Sequence, residues 1–162
     1  MRPPSVAILT NAHAANQRSM IGYGALLLEA ARRLTVPVVE WRGTSALGGS
    51  VLARGRLAKL TQTVDRFLLT PAALTGRRAQ LAHVVDPGNA IYLDVVRAGR
   101  SVTTVHDMIP YLAEAGKLDG FRPSRLGHRL MRAIIHRLRR VDRIICVSEA
   151  TRRDVLELVE PD

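Results

Sequence analysis

Short apolar runs alternate with segments of helical spacing along nearly the whole chain. Val6-Ala7-Ile8-Leu9-Thr10 opens the series and reads as a strand buried on both faces, as parallel strands are. A helix follows from about Gly22 to Leu34, with Leu26, Leu27 and Ala30 on its apolar face and Arg32-Arg33 well placed in its last turn. Val36 to Trp41 is a second strand, set near an edge by Pro37, and Gly43 to Ser50 reads as a mobile loop. From Val51 to Leu69 helical spacing returns. Leu52, Leu57, Leu60, Val64, Phe67 and Leu68 oppose Arg54, Arg56, Lys59 and Arg66, and Pro71 is expected to end the helix. Thr75-Gly76-Arg77-Arg78 is a basic turn. His83-Val84-Val85-Asp86 looks like a further short strand, and Pro87-Gly88-Asn89 is expected to open a helix to about Ala98, closed by Gly99.

Val102, Thr103, Thr104 and Val105 form the run best suited to a buried central strand. Pro110 to Pro123 reads as mostly irregular. Between 122 and 143 the pattern is clearest. Arg122, Arg125, Arg129, Arg132, His136, Arg139 and Arg143 recur at alternating spacings of three and four, against Leu126, Leu130, Met131, Ile134, Ile135 and Leu138. This is an amphipathic basic helix. Ile144-Ile145-Cys146-Val147 follows as a strand, and Ser148 is placed to cap a last helix that ends near Val159. The alternation implies one α/β domain over 1–162, Rossmann-like and three-layered. Its mostly parallel sheet has central strands at Val6–Thr10, His83–Val85, Val102–Val105 and Ile144–Val147.

Composition narrows the class. At 162 residues and 47% apolar, the chain supports one well-buried core, which must be aliphatic because aromatics make up only 4%. The net charge of +10 favours phosphorylated ligands, nucleic acid or an anionic membrane. Eight arginines and one aspartate between 122 and 143 supply +7 of it. Cys146 stands alone, so no disulfide framework exists and a reducing, cytoplasmic location is expected. No run approaches the ~18 apolar residues of a membrane span, which leaves a peripheral association with the inner face of a membrane open.

Candidate chemistry centres on His106 and Asp107, delivered at the carboxyl end of the central strand, where open α/β sheets bind ligands. The alternative is a helix-capping Asp beside a solvated His. Ile21-Gly22-Tyr23-Gly24 stands where a phosphate-binding turn would lie, without matching G-x-G-x-x-G, and glycine there equally permits tight helix-to-strand packing. His83 and Asp86 face a ligand or form a hydrogen-bonded strand end. No metal cluster is expected.

The segment Thr104-Val105-His106-Asp107-Met108-Ile109-Pro110, with Val141 to Asp154 containing Ser148-Glu149-Ala150-Thr151-Arg152-Arg153-Asp154, resembles the amino-terminal domain of glycosyltransferase family 4. The resemblance spans essentially the whole chain and is firmest from 80 to 158. It implies one half of a GT-B architecture, in which two Rossmann-like domains face each other across a cleft, and a retaining sugar transfer. The donor is then a nucleotide sugar, which serves as substrate with no other cofactor, and the acceptor is lipid-linked or a saccharide. By the resemblance, His106 contacts the donor sugar, Asp107 anchors that loop, and Ser148 and Glu149 line the cleft floor. Gly22 and Tyr23 fall in a turn near the donor phosphates, where Met20 replaces a glycine of the family pattern. The family's carboxyl-terminal nucleotide-binding domain is expected to be missing from this chain, leaving an acceptor-side half that is inactive alone. The basic helix, with Arg122, Arg125, Arg129, Arg132 and Arg139, is expected to meet an anionic membrane that bears the acceptor.

Two other classes remain. One is a non-catalytic basic module that binds nucleic acid or phosphorylated ligands. Scarce aromatics and the lack of a nucleic-acid motif count against it, and no nucleic-acid partner is expected. The other is a small enzyme complete in itself, a hydrolase for example, which no G-x-S-x-G elbow or P-loop supports.

Overall fold

A computed structural model describes residues 6–12, 18–47, 57–117 and 124–159. Five strands form one all-parallel sheet: β1 (Val6–Thr10), β2 (Val38–Arg42), β3 (Arg78–Val84), β4 (Arg97–Val105) and β5 (Arg143–Cys146), in the order β2-β1-β3-β4-β5. The helices are α1 (Arg18–Arg33), α2 (Leu57–Val64), α3 (Thr70–Leu74), α4 (Ile109–Glu114), α5 (Arg125–Leu138) and α6 (Glu149–Val159). A π-helical turn, Asp65–Leu69, joins α2 to α3, and a 3₁₀ segment, Pro87–Asp94, lies between β3 and β4. This is the Rossmann-like α/β fold that the alternation implies.

Period-two alternation in the strands sorts the core into two faces. Ile8 packs with Leu28 of α1 and with Val85 on one face. Ala7 and Leu9 face the other way, onto Trp41, Leu74, Val84, Tyr92 and Leu93. On that second face Val105 continues into a cluster with Met108, Tyr111, Ile134, Leu138, Val155 and Val159. Thus α3, the 3₁₀ segment, α5 and α6 share one layer, while α1 covers the opposite face over β1. Thr104 and Ile145 are ladder partners and share the α1 face, yet Thr104 is buried there and Ile145 is 44% exposed.

Several expectations are corrected. The first helix starts at Arg18, so Gly22 lies inside α1 and not in a turn ahead of it. Gly24, not Gly22, is the glycine of close packing. A Cβ on Gly24 would stand 2.9 Å from the Thr10 methyl, whereas one on Gly22 would meet nothing within 4 Å. Pro71 does not stop the helical path. The wider π turn, in which Thr70 N–H reaches the Asp65 carbonyl, shifts the backbone the proline ring would otherwise strike, and Pro71 sits in the first turn of α3. The helix expected from Pro87 to Ala98 is the shorter 3₁₀ segment followed by β4, and β3 is longer than expected. Gly99 is a strand residue: a Cβ there would lie 2.9 Å from the Gln80 carbonyl of β3. Ile109–Glu114 is helical, because Pro110 occupies the first turn of α4 where its missing N–H is not needed.

β5, expected among the central strands, is an edge strand, while β2 is the edge that Pro37 suggested. Leu126 is 58% exposed and stands off the buried stripe of α5. The loop expected to be mobile is tied down over 43–47. Leu47 N–H donates to both carboxylate oxygens of buried Asp65, at 3.0 and 3.1 Å, and Thr44 N–H donates to Thr70 Oγ1 at 2.9 Å. The rest of that loop, the helix start at 51–56 and residues 118–123 lie outside the described residues.

The two α1 glycines give opposite stability effects. Gly22→Ala should stabilise by about 0.5–1 kcal/mol, because it removes the helical cost of glycine in open space. Gly24→Val should destabilise by about 1–3 kcal/mol through overpacking against Thr10 and Val85. Urea unfolding midpoints of the two variants, moving in opposite directions from wild type, are the check.

Candidate functional site

The chain leaves β1 toward β2 and then returns past β1 to β3, so the carboxyl ends of β1 and β3 flank the topological switch point. Polar side chains from four segments close into a ring there. Asn11 Nδ2 donates to Asp86 Oδ2 at 2.7 Å, and Asn89 Nδ2 donates to Asn11 Oδ1 at 2.9 Å. Arg66 Nε donates to Asn89 Oδ1 at 2.8 Å, while its Nη2 reaches Asp86 Oδ2 at 3.3 Å. Asp86 also accepts the Gly88 N–H at 2.8 Å, which caps the 3₁₀ segment. Asn11, Asp86 and Asn89 are buried. These donors satisfy the buried carboxylate, which would be costly to leave unpaired. A Cβ on Gly88 would collide with the Arg66 guanidinium, so the glycine makes room for the arginine.

Beside this ring opens a cleft of about 660 Å³ at the carboxyl ends of β3 and β4. Arg18, Ser19 and Met20 from the first turn of α1 and Arg66 from the π turn are among its lining residues. His106 and Asp107 stand at the end of β4. Leu130, Met131 and Ile134 of α5 give the cleft an apolar lining. The cleft lining therefore combines guanidinium groups and a helix amino terminus with aliphatic carbon.

His106 is half-buried and fixed in its ring. Its Nε2 lies 3.2 Å from the Val85 carbonyl, and Tyr23 meets the ring edge-on at 4.9 Å between centroids and 85°. A carbonyl can only accept, so Nε2 carries a proton and Nδ1 is the accepting nitrogen of the neutral ring. Asp107 is exposed and accepts the Ile109 N–H through Oδ1 at 3.2 Å, so it holds the turn into α4. Asp107 thus bonds the turn without being the cap of α4, which is Met108, and His106 is half-buried rather than solvated. His83 lies on the α1 face, its Nε2 2.8 Å from Thr104 Oγ1, which in turn is 3.2 Å from the Tyr23 hydroxyl. Burial lowers its pKa from 6.5 to about 4.

Of the site residues read from the sequence, His106 and Asp107 share the cleft, with Tyr23 packed on His106. Gly22 is exposed within α1, and its place at the cleft is taken by Arg18, Ser19 and Met20. Ser148 and Glu149 do not line this cleft. Ser148 Oγ accepts the Thr151 N–H at 3.1 Å as the cap of α6, and exposed Glu149 pairs with Arg152 at 2.9 Å. Arg125, Arg129, Arg132 and Arg139 are exposed on or just beyond α5. Arg137 instead turns inward. Its Nε forms an ion pair with Asp94 at 3.0 Å, though not a hydrogen bond, and its Nη2 donates to the Leu93 carbonyl. Arg122, Arg54, Arg56 and the Lys59 side chain lie outside the described residues. Among the described residues no helix is long and apolar enough to cross a membrane.

Residues 29–162 match the profile of Glycosyltransferase Family 4. The chain belongs to this family. The match begins within α1, so the family assignment rests on the segments that carry His106, Asp107 and the Ser148 cap, and not on Gly22 or Tyr23. Neither a curated protein nor a solved structure matches the chain significantly. Arg66, Asn11 and Asn89 were not singled out in the sequence. The available signals were an arginine flanked by apolar residues at Phe67 and Leu68, and the Asp86-Pro87-Gly88-Asn89 turn, whose Asp and Asn are cap residues.

His83 sets an acid-sensitive component of stability. Between pH 6.5 and 4 the unfolded chain takes up a proton that the folded one refuses. That component is therefore complete above pH 6.5 and is lost as pH falls toward 4, to a total of about 3 kcal/mol. Denaturant unfolding at pH 7 and pH 4.5 should show this loss in wild type and a flatter profile in His83→Gln.

Proposed function

We propose that this family member serves sugar transfer as the acceptor-side half of a retaining glycosyltransferase. His106 contacts the sugar of a nucleotide-sugar donor, and a carboxyl-terminal domain, in the same chain or supplied separately, grips the nucleotide. The observation that carries the reading is the cleft at the ends of β3 and β4, with His106 and Asp107 on its wall. Departure of a nucleoside diphosphate needs positive charge preset where the phosphate charge develops. Arg18, Arg66 and the amino terminus of α1 are the groups on this side suited to that. They form one wall only. An open half-site admits water, which weakens each of these contacts, so the isolated domain should bind donor weakly and transfer no sugar.

Incubation of the purified chain with a panel of nucleotide sugars and with lipid or sugar acceptors, with and without a carboxyl-terminal domain, tests this. Turnover should require the added domain, and robust turnover by the chain alone overturns the half-site reading. In the reconstituted enzyme His106→Ala should cut turnover sharply while costing less than about 1 kcal/mol of stability, since no core cavity opens. Intact activity per folded molecule would remove His106 from the site.

A lipid-linked acceptor is favoured by α5. Its inner face gives the cleft Leu130, Met131 and Ile134, and its outer face carries Arg125, Arg129 and Arg132 around exposed Leu126. Each cation near an anionic surface contributes ~1 kcal/mol, and salt screens it. Vesicles containing anionic lipid should therefore co-sediment the protein at low salt and release it at high salt. Equal binding to neutral vesicles would count against the membrane role.

A further inference from the structure

We propose that Thr151 is a positioning residue for His106, acting through the histidine's main chain. The inference rests on the reading of His106 as the donor-contacting group. The β4 ladder to β5 runs out just before His106. Its last bonds pair Val105 with Cys146 and bring the Val147 N–H to the Val105 carbonyl at 3.2 Å. The next carbonyl, that of His106, has left the ladder, and Thr151 Oγ1 reaches it at 3.1 Å. Thr151 is 5% exposed, on the first turn of α6.

The direction of each bond follows from proton counting. A hydroxyl has one proton, and a carbonyl can only accept, so the Thr151 proton goes to His106. The 3.0 Å contact between the Ser148 and Thr151 hydroxyls must then be donated by Ser148, whose oxygen also accepts the Thr151 N–H at 3.1 Å. The result is a one-way chain from the Ser148 hydroxyl through the Thr151 hydroxyl to the His106 carbonyl, in which each bond polarises the next. It links Ser148-x-x-Thr151 to His106-Asp107, some forty residues earlier in the chain. The first does not line the cleft but fixes the peptide from which the second projects.

With that peptide fixed, the imidazole is directed at the Val85 carbonyl, and Nε2 is held as the protonated nitrogen. Freed, the His106–Asp107 peptide can tilt and the 3.2 Å ring bond, already near its limit, is lost. The ring then samples both tautomers.

The test is a ¹⁵N spectrum of the imidazole side chains in the full chain at pH 7.5, assigned with His106→Ala and His83→Gln. In wild type the two His106 ring nitrogens should be well separated, as in a single Nε2–H tautomer. Thr151→Val, which removes only the hydroxyl, should draw them together and leave the His83 signals in place. Thr151→Ser should restore the separation. Ser148→Ala should shift them in the same direction by less, and it answers the question if Thr151→Val does not fold. Unchanged His106 nitrogens in a folded Thr151→Val, or in Ser148→Ala when the valine variant is unfolded, overturn the inference and leave Thr151 a packing residue. A separate titration with nucleotide sugars in the presence of a carboxyl-terminal domain distinguishes the underlying reading. If His106→Ala binds donor as wild type does, the site assignment fails even where the positioning chain is real.

Discussion

A single charged group, the Asp86 carboxylate, is the constraint on which the cleft depends. It is buried just beyond the end of β3, where a carboxylate left without donors is costly. The donors come from Asn11 after β1, from Arg66 in the π turn and from the Gly88 N–H. Satisfying one carboxylate therefore fixes the relative positions of two strand ends, one helical connection and the 3₁₀ segment. Asn89 closes the ring by bridging Asn11 and Arg66. A network fully satisfied in this way is rigid, whereas the same groups partly paired would be worse than an apolar core. Tyr92, whose hydroxyl donates to the Arg66 carbonyl, braces the same turn and is itself buried enough that its pKa is raised to about 12.

Parts of this arrangement were legible in the residues. β1 and the core of β4 are unbroken apolar or β-branched runs because both faces of each strand are covered, and that pattern survives any tertiary context. The place of His106 and Asp107 was legible because residues directly after such a run fall at the carboxyl end of the strand, where the cleft lies. The stretch from Pro87 to Gly99 was not. Its apolar residues at Ala90, Ile91, Leu93 and Val96 fit helical spacing, and the decision for a short 3₁₀ turn and an early strand lies in contacts the local sequence does not contain. Gly99 is there because the β3 backbone passes it at Gln80. Arg66 reads in the sequence only as one of the basic residues opposing an apolar helical stripe, for the same kind of reason, since its partners at Asp86 and Asn89 are 20 and 23 residues away.

The coverage of the sheet is unequal. One face carries α3, the 3₁₀ segment, α5 and α6, and the cleft opens on the carboxyl side, where α5 rises beside β4. The opposite face has α1 over the β1 region, held to β4 through the Tyr23, Thr104 and His83 contacts. α1 thus does two things at once. Its first turn contributes Arg18, Ser19 and Met20 to the cleft wall, while one turn later Gly24 allows it to lie against Thr10. The position of Arg18 in the cleft is set by how closely that helix can approach the sheet.

The π turn at Asp65–Leu69 carries a consequence for how this region tolerates change in length. An α-helix advances about 100° per residue. The wide turn spreads its residues over about the angle that one fewer would cover in an α-helix. Removing one would therefore restore a regular helix with its flanks nearly in register and lose the local placement of the turn's own side chains. Asp65 would swing away from the Leu47 amide, and Arg66 would be carried off Asn89 and Asp86. Asp65 and Arg66 are held to their identities by these bonds, and the count of residues is fixed for the whole turn. The segment acts as a spacer gauge between the loop after β2 and the switch point, and insertions or deletions should be far more damaging in it than in the turn at Thr75-Gly76, where glycine already supplies a left-handed bend at φ 76°.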